Sequence, residues 1–140
     1  MNGASGPQSA VPVPVVTEDN AFWFAAAREG RLVIQRCVPC GELRHPPAPT
    51  CALCRSFDWD CVEACGRGTL HSYAIAYYPK DPAFDYPLVI GLAELAEGVR
   101  IVADMPGADP SRIAIGLPVE VVFAPHYRGE LLPTLREVRS

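Results

Sequence analysis

Residues 37 to 54 read CVPCGELRHPPAPTCALC, and this stretch decides the first half of the fold. It holds two C-x-x-C pairs, Cys37/Cys40 and Cys51/Cys54, with ten residues between Cys40 and Cys51. Two residues between thiolates let a tight turn aim both sulfurs at one ion, and Gly41 permits the positive φ that such a knuckle needs. Two facing knuckles give a closed tetrahedral set, the arrangement of a structural Zn²⁺ site. The same four thiolates around iron would make a rubredoxin-like electron carrier, although the short spacing is a zinc-ribbon trait. A pair of redox dithiols lacks the βαβ setting it would need.

Outward from this core, 140 residues allow one domain or two small ones. The chain is 49% hydrophobic and 20% charged, as in ordinary globular proteins. It has no apolar run of about 18 residues to span a bilayer. The opening MNGASGPQSA lacks the basic residue and apolar core of a secretory signal. These features predict a cytoplasmic protein, where clustered cysteines favour metal over disulfides.

The net charge of −4 is unevenly spread. Residues 28 to 55 carry five arginines against Glu29 and Glu42, a balance of +3. Residues 56 to 140 hold 7 basic and 12 acidic side chains, a balance of −5. Four thiolates on Zn²⁺ add about −2, which the arginines partly offset. An acidic balance argues against a protein that holds a phosphate backbone.

Residues 1 to 16, with Pro12 and Pro14, read as a flexible tail. Thr17 to Gly30 reads as a helix capped by Thr17 and closed by Gly30. Its successive rings Phe22, Trp23 and Phe24 cannot share one face, so either the chain buries two sides or a partner covers one. Arg31 to Arg36 and Phe57 to Ala64 read as strands flanking the cysteine pairs. If 57–65 is extended, Cys61 and Cys65 lie roughly 13 Å apart, too far for a disulfide or a shared ion. They read as buried thiols.

Beyond Gly66 the strand-like segments are Thr69–Tyr78, Leu88–Glu94, Val99–Asp104, Val119–Phe123 and Leu132–Val138. A turn at Ala96-Glu97-Gly98 makes a hairpin of the second and third. Asp109 to Ile115 reads as a short helix closed by Gly116. Five strands with a helix between the third and fourth is an OB-type layout, which a small open sandwich would mimic. The resulting division is a tail (1–16), a helix with a zinc ribbon (17–65) and a five-stranded barrel (66–140).

In order and spacing, several pieces resemble one known family: the acyl-CoA-associated proteins with a rubredoxin-like zinc ribbon followed by an OB fold. They are Phe22-Trp23, Gly30-Arg31-Leu32, Gln35 to Gly41, His45-Pro46-Pro47, Cys51 to Cys54, Gly66 to Leu70 with Ser72-Tyr73, Pro87 to Ile90, and Gly116 to Val121. The resemblance spans about residues 20 to 138. Arg55-Ser56 stands where the family commonly has Gly-Ser. Members resemble accessory subunits of thiolase-like proteins or hotdog-fold enoyl-CoA hydratases, serving acyl transfer or retro-aldol cleavage of a steroid side-chain CoA thioester. The resemblance implies a hetero-oligomer, an OB face that docks on the partner, and a CoA channel nearby.

No nucleophile motif surrounds His45, His71 or His126, and no G-x-S-x-G, P-loop or H-E-x-x-H occurs. His71, in phase with Tyr73, Ile75 and Tyr77, reads as packed or hydrogen-bonded. The 77–87 segment sets Tyr77, Tyr78, Phe84 and Tyr86 among prolines with a single lysine, Lys80. Such rings could stack single-stranded bases, the alternative function. Without an electrostatic funnel they fit a protein or ligand contact better. The candidate partner-binding residues are therefore Phe22, Trp23, Tyr78, Phe84 and Tyr86. Arg67 and Arg100 are candidates for the CoA phosphates from charge and strand-end placement.

Overall fold

The computed structural model describes residues 14–78, 82, 86–125 and 130–138. The segment 1–13 and the residues Lys80, Phe84 and His126 lie outside the described residues. The described chain is mainly β, with one short helix, a three-stranded ribbon sheet and a five-stranded, near-closed barrel.

Helix α1 spans Ala21–Arg28, four residues shorter at its start than the sequence implies. Thr17 is not the cap. Asn20 holds that position, yet its Oδ1 accepts the Thr17 N–H at 2.7 Å and its Nδ2 donates to the Val15 carbonyl. The amide side chain thus closes a preceding turn instead of the helix. At the other end, Gly30 adopts φ 73°. The Gly30 and Arg31 amides return to the carbonyls of Ala27 and Ala26 at 2.9 Å, a Schellman closure.

In the ribbon, β1 (Val33–Cys37) lies between β2 (Leu43–Arg44) and β3 (Trp59–Glu63), antiparallel to both. Because β1 is central it is buried on both faces, and Leu32 and Ile34 enter the same apolar cluster as Leu70, Val119 and Leu135 of the barrel. β3 is an edge strand. For that reason Cys61, expected to be buried, is exposed, and Cys65 in the following connection is exposed as well.

The barrel comprises β4 (Arg67–Ala76), β5 (Leu88–Leu95), β6 (Arg100–Asp104), β7 (Pro118–Pro125) and β8 (Leu131–Glu137). Its order is β6-β5-β4-β7-β8, all antiparallel, with β6 and β8 approaching at the seam. This is the OB order. A bulge between Leu70 and Ser72 breaks the phase of β4. His71 is therefore exposed and makes no side-chain hydrogen bond among the described residues, contrary to its expected packed position.

Residues 109–115 do not form the expected helix; turns replace it. Asp109 Oδ1 accepts from the Ser111 amide and hydroxyl, closing a local turn. Gly116 then donates to the Leu70 carbonyl at 2.7 Å, and the Leu117 carbonyl accepts the Leu70 N–H. Pairing of Gly116 and Leu117 with Leu70 fixes the end of this segment against β4.

Gly91 sits at a tight point of the core. A Cβ there would lie 2.9 Å from Leu70 Cδ1 and Met105 Sδ and 3.0 Å from Leu135 Cδ1. Gly91→Ala should destabilise the fold by about 1–3 kcal/mol through overpacking. Urea unfolding of variant and parent measures it, and equal midpoints would contradict this packing.

Candidate metal centre and surrounding surfaces

Each C-x-x-C pair forms the same knuckle. Gly41 N–H bonds the Cys37 carbonyl at 2.9 Å, and Cys37 N–H bonds the Glu42 carbonyl at 2.8 Å. In the second knuckle Arg55 N–H bonds the Cys51 carbonyl at 2.9 Å, and Cys51 N–H bonds the Ser56 carbonyl at 3.0 Å. Gly41 takes φ 78° and Arg55 takes φ 65°, so the arginine adopts the left-handed conformation that glycine supplies in the first knuckle.

The knuckles bring Cys37, Cys40, Cys51 and Cys54 together, with all four Sγ atoms within 4.8 Å of one another. Cys37 Sγ lies 3.4 Å from Cys54 Sγ, and Cys40 Sγ lies 3.6 Å from Cys51 Sγ. These separations are too long for a disulfide. They approach the edge of about 3.8 Å that four Zn–S bonds of about 2.3 Å would give a tetrahedron. Among the described residues Cys61 and Cys65 do not join this cluster.

The Cys54 amide, aided by the Leu53 amide, draws the Cys51 thiol down to about 6 against desolvation. At Cys37 the Cys40 amide pulls the same way, but desolvation and the neighbouring thiols outweigh it and push that thiol up to about 12. Four crowded thiols do not all ionise unaided; a dication lets them, with release of protons. Four soft donors in a closed set fit a structural Zn²⁺ and leave no open position for a substrate.

Around the centre, Arg36 spans β1 to β3 in a two-pronged bond to Asp60 at 2.8 and 2.7 Å. That hydrogen bond lowers the Asp60 carboxyl and raises the guanidinium. Gln35 is buried, and its Oε1 accepts from Arg44 Nε at 3.0 Å and from the Ala48 N–H at 2.9 Å. It pins the loop between the two knuckles, a role that a lone polar residue in a strand does not announce.

Phe22 stacks on Trp59 with centroids 4.7 Å apart, and Trp23 packs against the shared core, Phe24 and His45. The three rings are half-buried within the chain. Burial lowers the His45 pKa, favouring a neutral ring. Tyr78 is exposed at the far end of β4, and Tyr86 is half-buried just before β5.

Arg67 and Arg100 begin β4 and β6, on either side of β5, at the opposite barrel end. Arg100 Nε is 3.2 Å from Glu94 Oε1, whereas Arg67 has no ion pair among the described residues. A cleft of about 560 Å³ under the 105–113 segment contains Arg112 and Arg136, but Glu137 and Glu120 pair with them. The described hydroxyls of Ser56, Ser111 and Thr134 engage an amide, a carboxylate and a carbonyl, not a histidine.

Residues 24–60 match the family described as the ChsH2 rubredoxin-like zinc ribbon domain, and residues 61–124 match the ChsH2 C-terminal OB-fold domain. A chain of the solved Ltp2-ChsH2(DUF35) aldolase superposes with a TM-score of 0.85 at 49% identity, covering 89% of this chain and 98% of that one. The chain belongs to the ChsH2/DUF35 family. Family relatives include the probable enoyl-CoA hydratase alpha subunit of Thermomonospora curvata, 53% identical over 113 residues and 81% of this chain. Another is the 3-oxo-4,17-pregnadiene-20-carboxyl-CoA hydratase alpha subunit of Mycobacterium tuberculosis, 41% identical over 110 residues and 79% of this chain. The chain spans 35% of the length of each of these two subunits. Among the described residues of this family member, no helix is long and apolar enough to cross a membrane.

The left-handed arginine makes the ChsH2/DUF35 knuckle testable. Arg55→Gly should raise stability by about 1 kcal/mol by removing the Cβ penalty, with four cysteines still holding one Zn²⁺. Thermal melts of the zinc-loaded variant check this; a lowered melting temperature would show that the arginine side chain contributes more than its backbone costs.

Proposed function

We propose that this chain is a non-catalytic accessory subunit of an acyl-CoA enzyme complex, partnered by a hotdog-fold hydratase or a thiolase-like aldolase. Its substrates on this reading are steroid side-chain CoA thioesters, and the partner performs the hydration or retro-aldol cleavage. The observation that carries the proposal is the near-complete match to the ChsH2(DUF35) chain of the Ltp2-ChsH2(DUF35) aldolase. The two hydratase alpha subunits support it from a second reaction. A closed four-thiolate centre also suits a role in shape, not turnover.

Docking through the 77–87 segment uses Tyr78 and Tyr86 directly, with Phe84 on the same segment. Phe22 and Trp23, engaged with Trp59 and His45, contribute by holding α1 to the ribbon. Of the two arginines, Arg67 is the better placed for CoA phosphates, because Glu94 already occupies Arg100.

Reconstitution tests the proposal. The zinc-loaded chain alone should not turn over a steroid side-chain CoA thioester, and mixing it with Ltp2 or with the partner subunit of the hydratase should raise that protein's activity at least tenfold. Turnover by the chain alone, or no complex with either protein, would contradict it.

A further inference from the structure

β5 is apolar on both faces. Val89, Gly91, Ala93 and Leu95 are buried in the barrel. The two-residue period of a strand turns Leu88, Ile90 and Leu92 to the other side. Cross-strand neighbours share a face. Ala76, Ala74 and Ser72 of β4 therefore flank them on one side, and Asp104 and Val102 of β6 on the other. Continuous apolar character of this kind belongs to strands covered on both faces. Leu88, Ile90 and Leu92 are half-buried, whereas Val102 is 64% exposed and Ala74 is exposed, so the described residues cover this outer face only in part.

Its charges narrow the occupant. Glu94 and Arg100 neutralise each other at 3.2 Å, and Asp104 has no partner among the described residues. β5 and β6 are the second and third strands of the OB barrel, the face on which such folds take ligands, beside the loop after the first strand. Among the described residues that face offers a single unpaired cation, Arg67 at the start of β4, offset by the unpaired Asp104, which is too little to hold a phosphate backbone. The strip from Leu88 to Leu92 is about 15 Å long across three strands about 10 Å wide in all. That is a fraction of the roughly 800 Å² per side of a standard interface, and less still than obligate dimers bury. It suits the dry centre of a heteromeric interface.

We infer that the outer face of β4–β5–β6 seats the acyl-CoA enzyme subunit, which meets Ile90, Leu92 and Val102 with an apolar strip and Asp104 with a lysine or arginine. The inference rests on the accessory function proposed above.

The test titrates the zinc-loaded full chain into Ltp2 and into the hydratase partner subunit, comparing parent, Ile90→Lys, Val102→Lys and Asp104→Lys. Each variant should bind at least tenfold more weakly, with unchanged zinc content and melting temperature. Val102→Lys and Asp104→Lys alter exposed side chains, so they report even if Ile90→Lys unfolds. If the parent binds and these two bind equally well, the face is not the seat and only this inference falls. If the parent binds neither protein, the accessory function itself falls. Light scattering that finds a parent dimer dissolved by Val102→Lys would overturn the inference in favour of a second copy. Oligonucleotide binding lost in the same variant would overturn it in favour of nucleic acid.

Discussion

Strand β1 carries two obligations at once. Its last residue, Cys37, is a member of the thiol cluster, while Ile34, three positions earlier, is fully buried in the barrel core. A ribbon of about 35 residues cannot bury enough apolar surface to hold itself together. A bound dication supplies the missing free energy, because the site exists only in the folded chain. The metal therefore fixes more than two knuckles: it fixes the register of the strand that closes one side of the barrel core. Arg36–Asp60 and the buried Gln35 reinforce the same strand from either face. The exposed ion pair adds little, within about 1 kcal/mol; the buried amide leaves no unsatisfied acceptor.

This coupling gives a rigid platform in place of a reactive site. The charges divide accordingly. Arginines of the ribbon and barrel are mostly matched locally: Arg28 to Glu130, Arg31 to Glu63, Arg112 to Glu137 and Arg136 to Glu120. Beside them the barrel leaves large apolar side chains exposed, Tyr77 and Val102 among them. An exposed apolar face of this kind gains from burial against another protein.

Much of this was legible in the sequence because the responsible forces are local. Thiolate geometry sets the C-x-x-C spacing, and alternation marks strands that bury one side. What escaped reading was set by tertiary partners. The start of α1 shifts because Asn20 bonds backward, and residues 109–115 close turns around Asp109 before Gly116 and Leu117 pair with Leu70. Cys61 is exposed because its strand lies at an edge, a property of sheet order and not of residue type. His71 loses its phase at a bulge that no residue pattern announces. The two-residue β2 is too short to leave a pattern at all. Arg55 is the reverse case: a departure from glycine in the sequence that the backbone absorbs unchanged.

The most direct measurement is hydrogen exchange on the zinc-loaded chain before and after chelation. If metal, β1 and barrel form one unit, chelation will speed exchange at the amides of β1 and also of β4 and β5, far from the cysteines. Faster exchange confined to residues 37–56, with β4 and β5 as protected as before, would contradict the account.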